Sequence, residues 1–274
     1  MTSSHRPLSG RAAIVTGASR GIGRAIADEL ARAGARLCVT ARTEQDVRDT
    51  VTALRARGAD AVGVTGCVSD PAHLWEVTER TTAAFGRVDI VVNNAATNQP
   101  YGPLMDADPD AWRTAFTINV EAPLRLVQCV WRAWMSEHGG AVVNVCTEGA
   151  GHVGPNVGAY GTSKAALLHL TAQLAGELGP SVRVNSVSPG LVRTEMARFV
   201  WERAEESVAA GLPAGRIGEP EDVARAVRWL VSDEAEWTTG ADLLVDGGTR
   251  VRAASPAAAT GAVHQQLRHH FPGA

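Results

Sequence analysis

The segment YGTSK, residues 160–164, places the phenol of Tyr160 and the ammonium of Lys164 four positions apart. Residues at this spacing share one face of a helix. A free phenol has a pKa near 10 and transfers protons poorly at neutral pH, whereas a nearby cation favours its ionised form. The pair therefore predicts a proton-transfer site in which Lys164 lowers the pKa of Tyr160. A surface pair at positions i and i+4 has the same spacing and is the alternative.

Lys164 is the single lysine among the 26 basic residues of the chain, and all the others are arginine. A compact ammonium with three donors can stabilise a phenolate and also hold two ribose hydroxyls. A planar guanidinium fits that role poorly. We therefore expect position 164 to require lysine.

A glycine-rich turn, TGASRGIG at residues 16–23, follows a short apolar run and precedes a helical pattern. Glycines allow the backbone to turn tightly and bring its N–H groups close to a pyrophosphate at the N-terminus of a helix. The turn therefore predicts a dinucleotide site. Its residues are Gly17, Ser19, Arg20, Gly21, Ile22 and Gly23.

Residues 17–21 also match G-x-S-x-G, the nucleophile turn of α/β-hydrolases. Ser19 follows the first strand of the pattern, whereas that nucleophile belongs to a strand in the middle of the sheet. The order of the elements therefore favours the dinucleotide site over an acyl-transfer enzyme.

The end of the second predicted strand reads VTAR, residues 39–42, and lacks the carboxylate that holds the adenosine ribose of NAD. Arg42 can instead form two parallel hydrogen bonds with a 2′-phosphate, and Arg20 can approach the same group. The sequence predicts NADP as cofactor. An NAD-dependent secondary-alcohol dehydrogenase is the alternative.

Short β-branched runs alternate with amphipathic patterns along the chain, which predicts repeated βαβ units and a parallel sheet covered by helices on both faces. The predicted strands are 12–15, 37–40, 61–64, 90–93, 141–145, 182–187 and 243–245. The predicted helices are 21–33, 44–57, 71–85, 108–135, 159–178 and 220–231. Residues 193–219 form an irregular insertion, and residues 250–274 form a C-terminal tail that we expect to be partly disordered.

Composition excludes several partners. The 274 residues carry a net charge of -3, which provides no basic field for nucleic acid. The chain has no apolar run long enough for a membrane span and no signal-peptide pattern at its N-terminus, so we expect a cytoplasmic protein. Its four cysteines form no C-x-x-C pair, which predicts reduced thiols and no metal site.

From Gly10 to Gly248 the chain resembles the short-chain dehydrogenase/reductase family, in the subgroup with T-G-x-x-x-G-x-G and Y-x-x-x-K motifs. Besides those two motifs, NNAA at 93–96, Asn119, PGLVRT at 189–194 and VDGG at 245–248 match it in order. The resemblance implies one doubly wound Rossmann-type α/β domain, residues 1–249, with strand order 3-2-1-4-5-6-7 and a substrate lid at about 193–219. It is similar to 3-oxoacyl thioester reductases and broad carbonyl reductases.

The resemblance also implies roles for individual residues. Tyr160, Lys164, Thr147 and Asn119 would be catalytic, with Thr147 replacing the usual serine and Asn119 ordering a relay water. Further cofactor contacts would come from Cys67, Val68, Asn94, Ala95, Pro189, Gly190, Val192 and Thr194. Cys67 stands where the family commonly has aspartate, so the adenine contact is expected to be weaker.

The implied reaction is hydride transfer between NADP(H) and a ketone or secondary alcohol. Substrate contacts are expected from Glu148, His152, Val153, Asn98, Met196, Ala197, Arg198, Phe199, Val200 and Trp201. Apolar residues on two long helices predict a subunit contact or core packing, and the resemblance implies that such a contact belongs to a homotetramer; the residues are Leu124, Val127, Val130, Trp131, Trp134, Leu167 and Leu170. A non-catalytic NADP-binding sensor or scaffold is the alternative from another class.

Overall fold

A parallel sheet of seven strands forms the centre of the protein, whose computed structural model describes residues 6–251. The strands are β1 (Ala12–Thr16), β2 (Arg36–Ala41), β3 (Ala61–Thr65), β4 (Ile90–Asn93), β5 (Gly140–Val145), β6 (Val182–Pro189) and β7 (Asp242–Val245). Their order, β3-β2-β1-β4-β5-β6-β7, confirms the fold class and the strand order expected from the sequence. The order reverses between β1 and β4, which is where a doubly wound sheet opens a ligand crevice.

Helices cover both faces of the sheet. They are α1 (Gly21–Arg32), α2 (Glu44–Ala56), α3 (Pro71–Phe85), α4 (Pro109–Phe116), α5 (Ala122–Val130), α6 (Ser136–His138), α7 (Gly158–Leu178), α8 (Arg198–Ala210) and α9 (Pro220–Val231). Local signals fix several ends: Asp70 and Asp108 accept hydrogen bonds from the first turns of α3 and α4, and Gly86 ends α3 in the left-handed conformation.

Two apolar layers fill the space between sheet and helices. On one face, Ile26 and Leu30 of α1 pack with Val227 of α9. On the other face, Leu74 of α3 packs with Leu126 of α5 and neighbouring residues of α7. Because the central strands are covered on both sides, β1 and β4 are buried along their whole length, whereas the edge strands β3 and β7 are partly exposed.

The long helix predicted over residues 108–135 is interrupted. Two π-helical turns, Thr117–Glu121 and Trp131–Met135, separate α4, α5 and α6. A π turn inserts an extra residue without changing the apolar pattern enough to be visible in the sequence.

The insertion at 193–219 was also predicted incorrectly as irregular, since it contains the helix α8 with a kink at Ala204.

Part of the predicted subunit contact belongs to the core of the protein. Val127, Val130 and Leu167 are almost completely buried within the chain, because α5 and α7 press these positions onto the sheet. Leu124, Trp131, Trp134 and Leu170 are partly buried and keep some exposed surface.

No helix in the described range 6–251 is long and apolar enough to cross a membrane. Of the predicted tail, only Arg250 and Val251 lie within the described residues.

Candidate active site

A cleft of about 590 Å³ lies at the carboxyl ends of the strands. It brings together the glycine turn after β1, the ends of β2 to β6, the first turns of α7 and the beginning of the insertion. All the predicted catalytic and cofactor-binding residues line this cleft except Asn119.

The glycine turn leaves no room for side chains on its inner surface. Gly17 and Gly21 have φ values of +62° and +54°, which favour glycine. A Cβ on Gly23 would lie 2.3 Å from both the amide nitrogen of Asn94 and the carbonyl oxygen of Gly17. The Asn94 amide in turn donates to the carbonyl oxygens of Thr16 and Gly17 at 2.9 and 3.1 Å. The turn is therefore a bare backbone surface at the N-terminus of α1, suited to a pyrophosphate.

Two exposed arginines line the end of the cleft nearest β2. Neither Arg20 nor Arg42 forms a side-chain hydrogen bond or ion pair with another residue in the described range. Their guanidinium groups are thus available to an anionic ligand. Asp46, on the first turn of α2, lines the same end and adds a negative charge that the sequence reasoning did not identify.

Three polar side chains meet deeper in the cleft. Tyr160 and Thr147 both line this part of the cleft, and the Thr147 hydroxyl is close enough to lower the pKa of the Tyr160 phenol. Lys164 is buried one turn beyond Tyr160, and its Nζ donates to the carbonyl oxygen of Val145 at 2.6 Å. The Lys164 Nζ lies 5.9 Å from the centroid of the Tyr160 ring. Thr147 follows the end of β5 and Tyr160 lies in the first turn of α7, so the sheet and this helix position the group together.

The electrostatics of this group differ from the sequence expectation. Burial raises the pKa of Tyr160 above its ordinary value, and the hydrogen bond from Thr147 opposes that effect. Burial also lowers the pKa of Lys164. The predicted lowering of the Tyr160 pKa by Lys164 is therefore absent from this arrangement. Burial is the largest cause of the raised Tyr160 pKa, and the neighbouring Cys146 thiol adds to it.

Asn119 lies behind the cleft and is completely buried in the first π turn. Its side-chain oxygen accepts from the Thr97 N–H, and its amide donates to the Thr97 carbonyl and to Ser163 Oγ, all at 2.9 Å. These bonds connect the segment after β4 to α7. The side chain thus has a visible role in joining two walls of the site.

The substrate end of the cleft differs from the prediction in several residues. Asn98, Met196, Ala197 and Val200 line it as expected, whereas Glu148, His152, Val153, Arg198 and Trp201 do not. Glu148 is instead 3.2 Å from the ring nitrogen of His152, and Val153 is almost fully exposed. The segment after Thr147 turns away from the cleft in a short 3-10 helix. The side chain of Phe199 lies outside the described part of the structure.

Two cysteines line the cleft, and all four cysteines of the chain are free. Cys67 Sγ lies 3.0 Å from Ser69 Oγ at the β3 end of the cleft. Cys146 is buried beside Lys164, and burial raises the pKa of its thiol to about 12. The Cys146 thiol therefore adds polarisable, uncharged surface to the cleft. Within the described range, no group of three metal-ligating side chains occurs.

The sequence reasoning did not identify several residues of the cleft wall. Thr97, Thr114, Ile118 and Val157 line its substrate end, and Glu195 lies at the beginning of the insertion. Thr97 comes shortly after β4, which is a signal that could have found it, whereas Thr114 and Ile118 lie within helical segments and Val157 directly precedes α7. Their directions depend on loop conformations that no motif specifies.

Comparison with known proteins agrees with this geometry. A family model described as enoyl-(acyl carrier protein) reductase matches residues 17–250. Dehydrogenase/reductase SDR family member 4 of Pongo abelii is 38% identical over 249 residues, which are 90% of each chain. The chain belongs to the short-chain dehydrogenase/reductase family. It is therefore a member of an oxidoreductase family that binds nicotinamide cofactors.

Solved structures of short-chain dehydrogenases/reductases share the fold. A blue fluorescent protein from a metagenomic library, in complex with NADPH, has a TM-score of 0.82 and 34% identity, covering 88% of this chain and 98% of its own. A 7α-hydroxysteroid dehydrogenase complexed with NADH and 7-oxo glycochenodeoxycholic acid has a TM-score of 0.85 and 30% identity, covering 90% and 97%. Because these two structures contain different cofactors, NADPH and NADH, family membership alone does not decide between them for this chain. The decision depends on the residues of this chain that contact the cofactor.

Proposed function

We propose that the protein catalyses reversible hydride transfer between NADP(H) and a ketone or secondary alcohol. The observation that best supports this activity is that the phenol of Tyr160 and the hydroxyl of Thr147 line the same cleft as the glycine turn. A proton donor at that position can serve the oxygen of a carbonyl group while a nicotinamide lies beside it.

Three side chains have distinct roles in this proposal. When bound, the dinucleotide supplies or accepts the hydride. Tyr160 donates a proton to the substrate oxygen during reduction and removes it during oxidation. The Thr147 hydroxyl holds the same oxygen, so that the phenol and the carbonyl are aligned. Lys164 holds ribose hydroxyls with its remaining donors and supplies positive charge near the phenol.

The neighbouring residues fit a dinucleotide. The inner surface of the glycine turn has no space for Cβ atoms at Gly17 or Gly23, yet it leaves the backbone open to the cleft. Ser19, Gly21 and Ile22 of the turn line the cleft, and Cys67, Val68 and Ala95 lie just beyond the strand ends beside it. Pro189, Gly190, Val192 and Thr194 form the opposite wall, where they would hold the nicotinamide end.

The preference for NADP over NAD is supported by charge. Arg20 and Arg42 have no partner among the described residues, and the position before Arg42 is Ala41 rather than an acid. A 2′-phosphate can pair with both guanidinium groups, whereas a 2′-hydroxyl leaves both cations without a partner.

The substrate end favours an uncharged, moderately apolar carbonyl compound. Ile118, Val157, Met196, Ala197 and Val200 provide apolar surface. Asn98, Thr97 and Thr114 provide uncharged polar groups, and Glu195 is the charged residue of this region. A 3-oxoacyl thioester or a broad range of ketones fits this lining, and residues 193–219 would cover it as a lid.

We also propose a homotetramer located in the cytoplasm. The surface left on α5 and α7 after the core is filled includes Leu124, Trp131, Trp134 and Leu170. These side chains provide partly exposed apolar area on adjacent helices, the kind of surface that a symmetric contact covers. Light scattering at micromolar concentration tests this assembly, and a monomer would contradict it.

The activity is tested by following NADPH oxidation with 3-oxoacyl thioesters, cyclic ketones, quinones and steroids. We expect turnover of at least one class and a preference for NADPH over NADH. Turnover with NADH at equal or better efficiency would make the protein an NAD-dependent secondary-alcohol dehydrogenase. Tight NADPH binding without turnover of any of these classes would favour the sensor or scaffold.

A further inference from the structure

Arg193 connects two parts of the structure that meet at the mouth of the cleft. Its N–H donates to the Gly218 carbonyl at 2.8 Å, and the Gly218 N–H donates to the Leu191 carbonyl at 2.9 Å. These bonds fix the backbone of residue 193 to the segment that precedes α9. The side chain, however, extends towards α8.

The guanidinium of Arg193 makes contacts in three directions. Nη1 donates to Glu205 Oε2 at 2.8 Å and Nη2 donates to Glu205 Oε1, which completes a two-point pair with α8. Nε donates to Glu219 Oε1 at 3.0 Å, directly before α9. The guanidinium carbon Cζ lies over the Trp201 ring, 5.3 Å from its centroid. Trp201 and Glu205 are one turn apart, so Arg193 contacts one face of α8 at two levels.

Trp201 extends this connection to the wall of the cleft. Its indole N–H donates to the carbonyl oxygen of Thr194 at 2.9 Å. Thr194 lines the cleft, and so do Met196 and Ala197 of the short 3-10 helix before α8 and Val200 in the first turn of α8. The kink at Ala204 lies between Trp201 and Glu205. The helix therefore bends at the place where Arg193 holds it.

We propose that Arg193 is a positioning residue for substrate binding: it holds α8, with its cleft-lining residues, against the wall formed by Thr194. This inference rests on the proposed function, since it assigns the lid to the same ketone-binding site. Arg193 does not line the cleft and touches no reacting atom. Its effect is therefore expected on the KM of the ketone rather than on proton transfer.

The chemistry of the contacts requires arginine at this position. Only a planar guanidinium can form a two-point pair with a carboxylate, donate to a second carboxylate and stack on an indole at the same time. A lysine retains the charge but loses the fork and most of the stacking. The side chains of Arg193, Glu205 and Glu219 are 38%, 36% and 44% exposed, so salt in solution will weaken their attraction.

The test compares Arg193→Met and Arg193→Lys with the control Arg225→Met. Arg225 is also exposed and pairs with Asp222 at 2.5 Å, but both residues lie within α9. With saturating NADPH, we expect Arg193→Met to raise the KM of the ketone about tenfold, equivalent to ~1.4 kcal/mol, and to leave kcat within about threefold. Arg193→Lys should restore only a small part of this loss. The control should match the wild type.

Two further readouts separate positioning from a general loss of structure. The ketone KM of the wild type should increase as salt is raised from about 50 to 500 mM, whereas that of Arg193→Met should change little, because its ion pairs are already absent. Trp201→Phe should raise KM by a smaller factor, since the ring is retained and the N–H bond to Thr194 is lost. Unchanged KM in Arg193→Met, or equal salt dependence in both proteins, would overturn the proposal.

Hydrogen exchange makes the test independent of the enzyme activity. In the protein without substrate, amides of residues 198–210 should exchange about tenfold faster in Arg193→Met than in the wild type or the control. Faster exchange without turnover of any ketone would contradict the proposed function and retain the role of Arg193 in holding α8. Equal exchange in all three proteins would overturn the role itself.

Discussion

The ammonium of Lys164 is held on the backbone carbonyl of Val145 at 2.6 Å, at the end of β5 and two residues before Thr147. This bond ties helix α7 to β5 and fixes the one lysine of the chain in a buried position. The Lys164 Nζ lies 5.9 Å from the centroid of the Tyr160 ring, one turn earlier on the same helix. The amine is consequently oriented by the protein before any ligand is present.

Lys164→Arg is expected to lower ketone turnover by about 100-fold or more. The wider guanidinium cannot occupy the buried point next to Val145 and donate to a ribose with the same geometry. NADPH affinity, measured by fluorescence titration, should also weaken, while circular dichroism should show an intact fold. If the side chain supplies only surface charge, activity will remain within a few-fold of the wild type.

Tyr160 should titrate above its ordinary pKa in the protein without cofactor, because burial disfavours the charged phenolate. Since the acid form is retained up to the raised pKa, the phenol stays protonated through neutral pH and ionises only above pH 10. The difference in ultraviolet absorbance between the wild type and Tyr160→Phe measures this titration.

Thr147 provides a matched pair of variants for the same measurement. Thr147→Val removes the hydroxyl that lowers the Tyr160 pKa, so the pKa should rise further, whereas Thr147→Ser should preserve it. Turnover should fall by about 100-fold in Thr147→Val and remain near the wild type in Thr147→Ser. Identical titrations in the two variants would show that the hydroxyl does not act on the phenol.

Cofactor choice should depend on the two exposed arginines of the cleft. Replacing Ala41 with Asp and Arg42 with Leu should reduce NADPH efficiency by about 10- to 100-fold relative to NADH, because one charge-assisted pair is lost and a carboxylate faces the phosphate. The ratio of kcat/KM values for the two cofactors measures the change. Arg48→Gln, on the exposed surface of α2 and outside the cleft, is the control.

Gly23→Ala should destabilise the glycine turn, since its Cβ would lie 2.3 Å from the Gly17 carbonyl oxygen and the Asn94 amide. We expect a loss of ~1–3 kcal/mol in the free energy of unfolding, together with weaker NADPH binding. Gly176→Ala is the opposite control. A Cβ at this exposed position of α7 meets no atom within 4 Å, and alanine should add ~0.5–1 kcal/mol of stability. Denaturant unfolding of both variants measures the contrast.

The sequence by itself determined the sheet, the turn and the pair of catalytic candidates. These features depend on local patterns: β-branched runs at β1 to β7, glycines where the backbone must turn, and the spacing of Tyr160 and Lys164 on one face of α7. Such patterns follow from backbone geometry and the burial of apolar residues, which act over a few residues and are visible in any single chain.

Only the tertiary structure decided where side chains separated by long stretches of sequence meet. In the tertiary structure, Glu148 and His152 lie outside the cleft and Val127 is buried in the core. The ammonium of Lys164 donates to the carbonyl oxygen of Val145. The tertiary structure also formed α8 within an insertion that reads as irregular. These outcomes depend on loop conformations and on the packing of α5, α7 and α8 against the rest of the molecule. Because that packing is set by contacts distant in sequence, no local pattern specifies it.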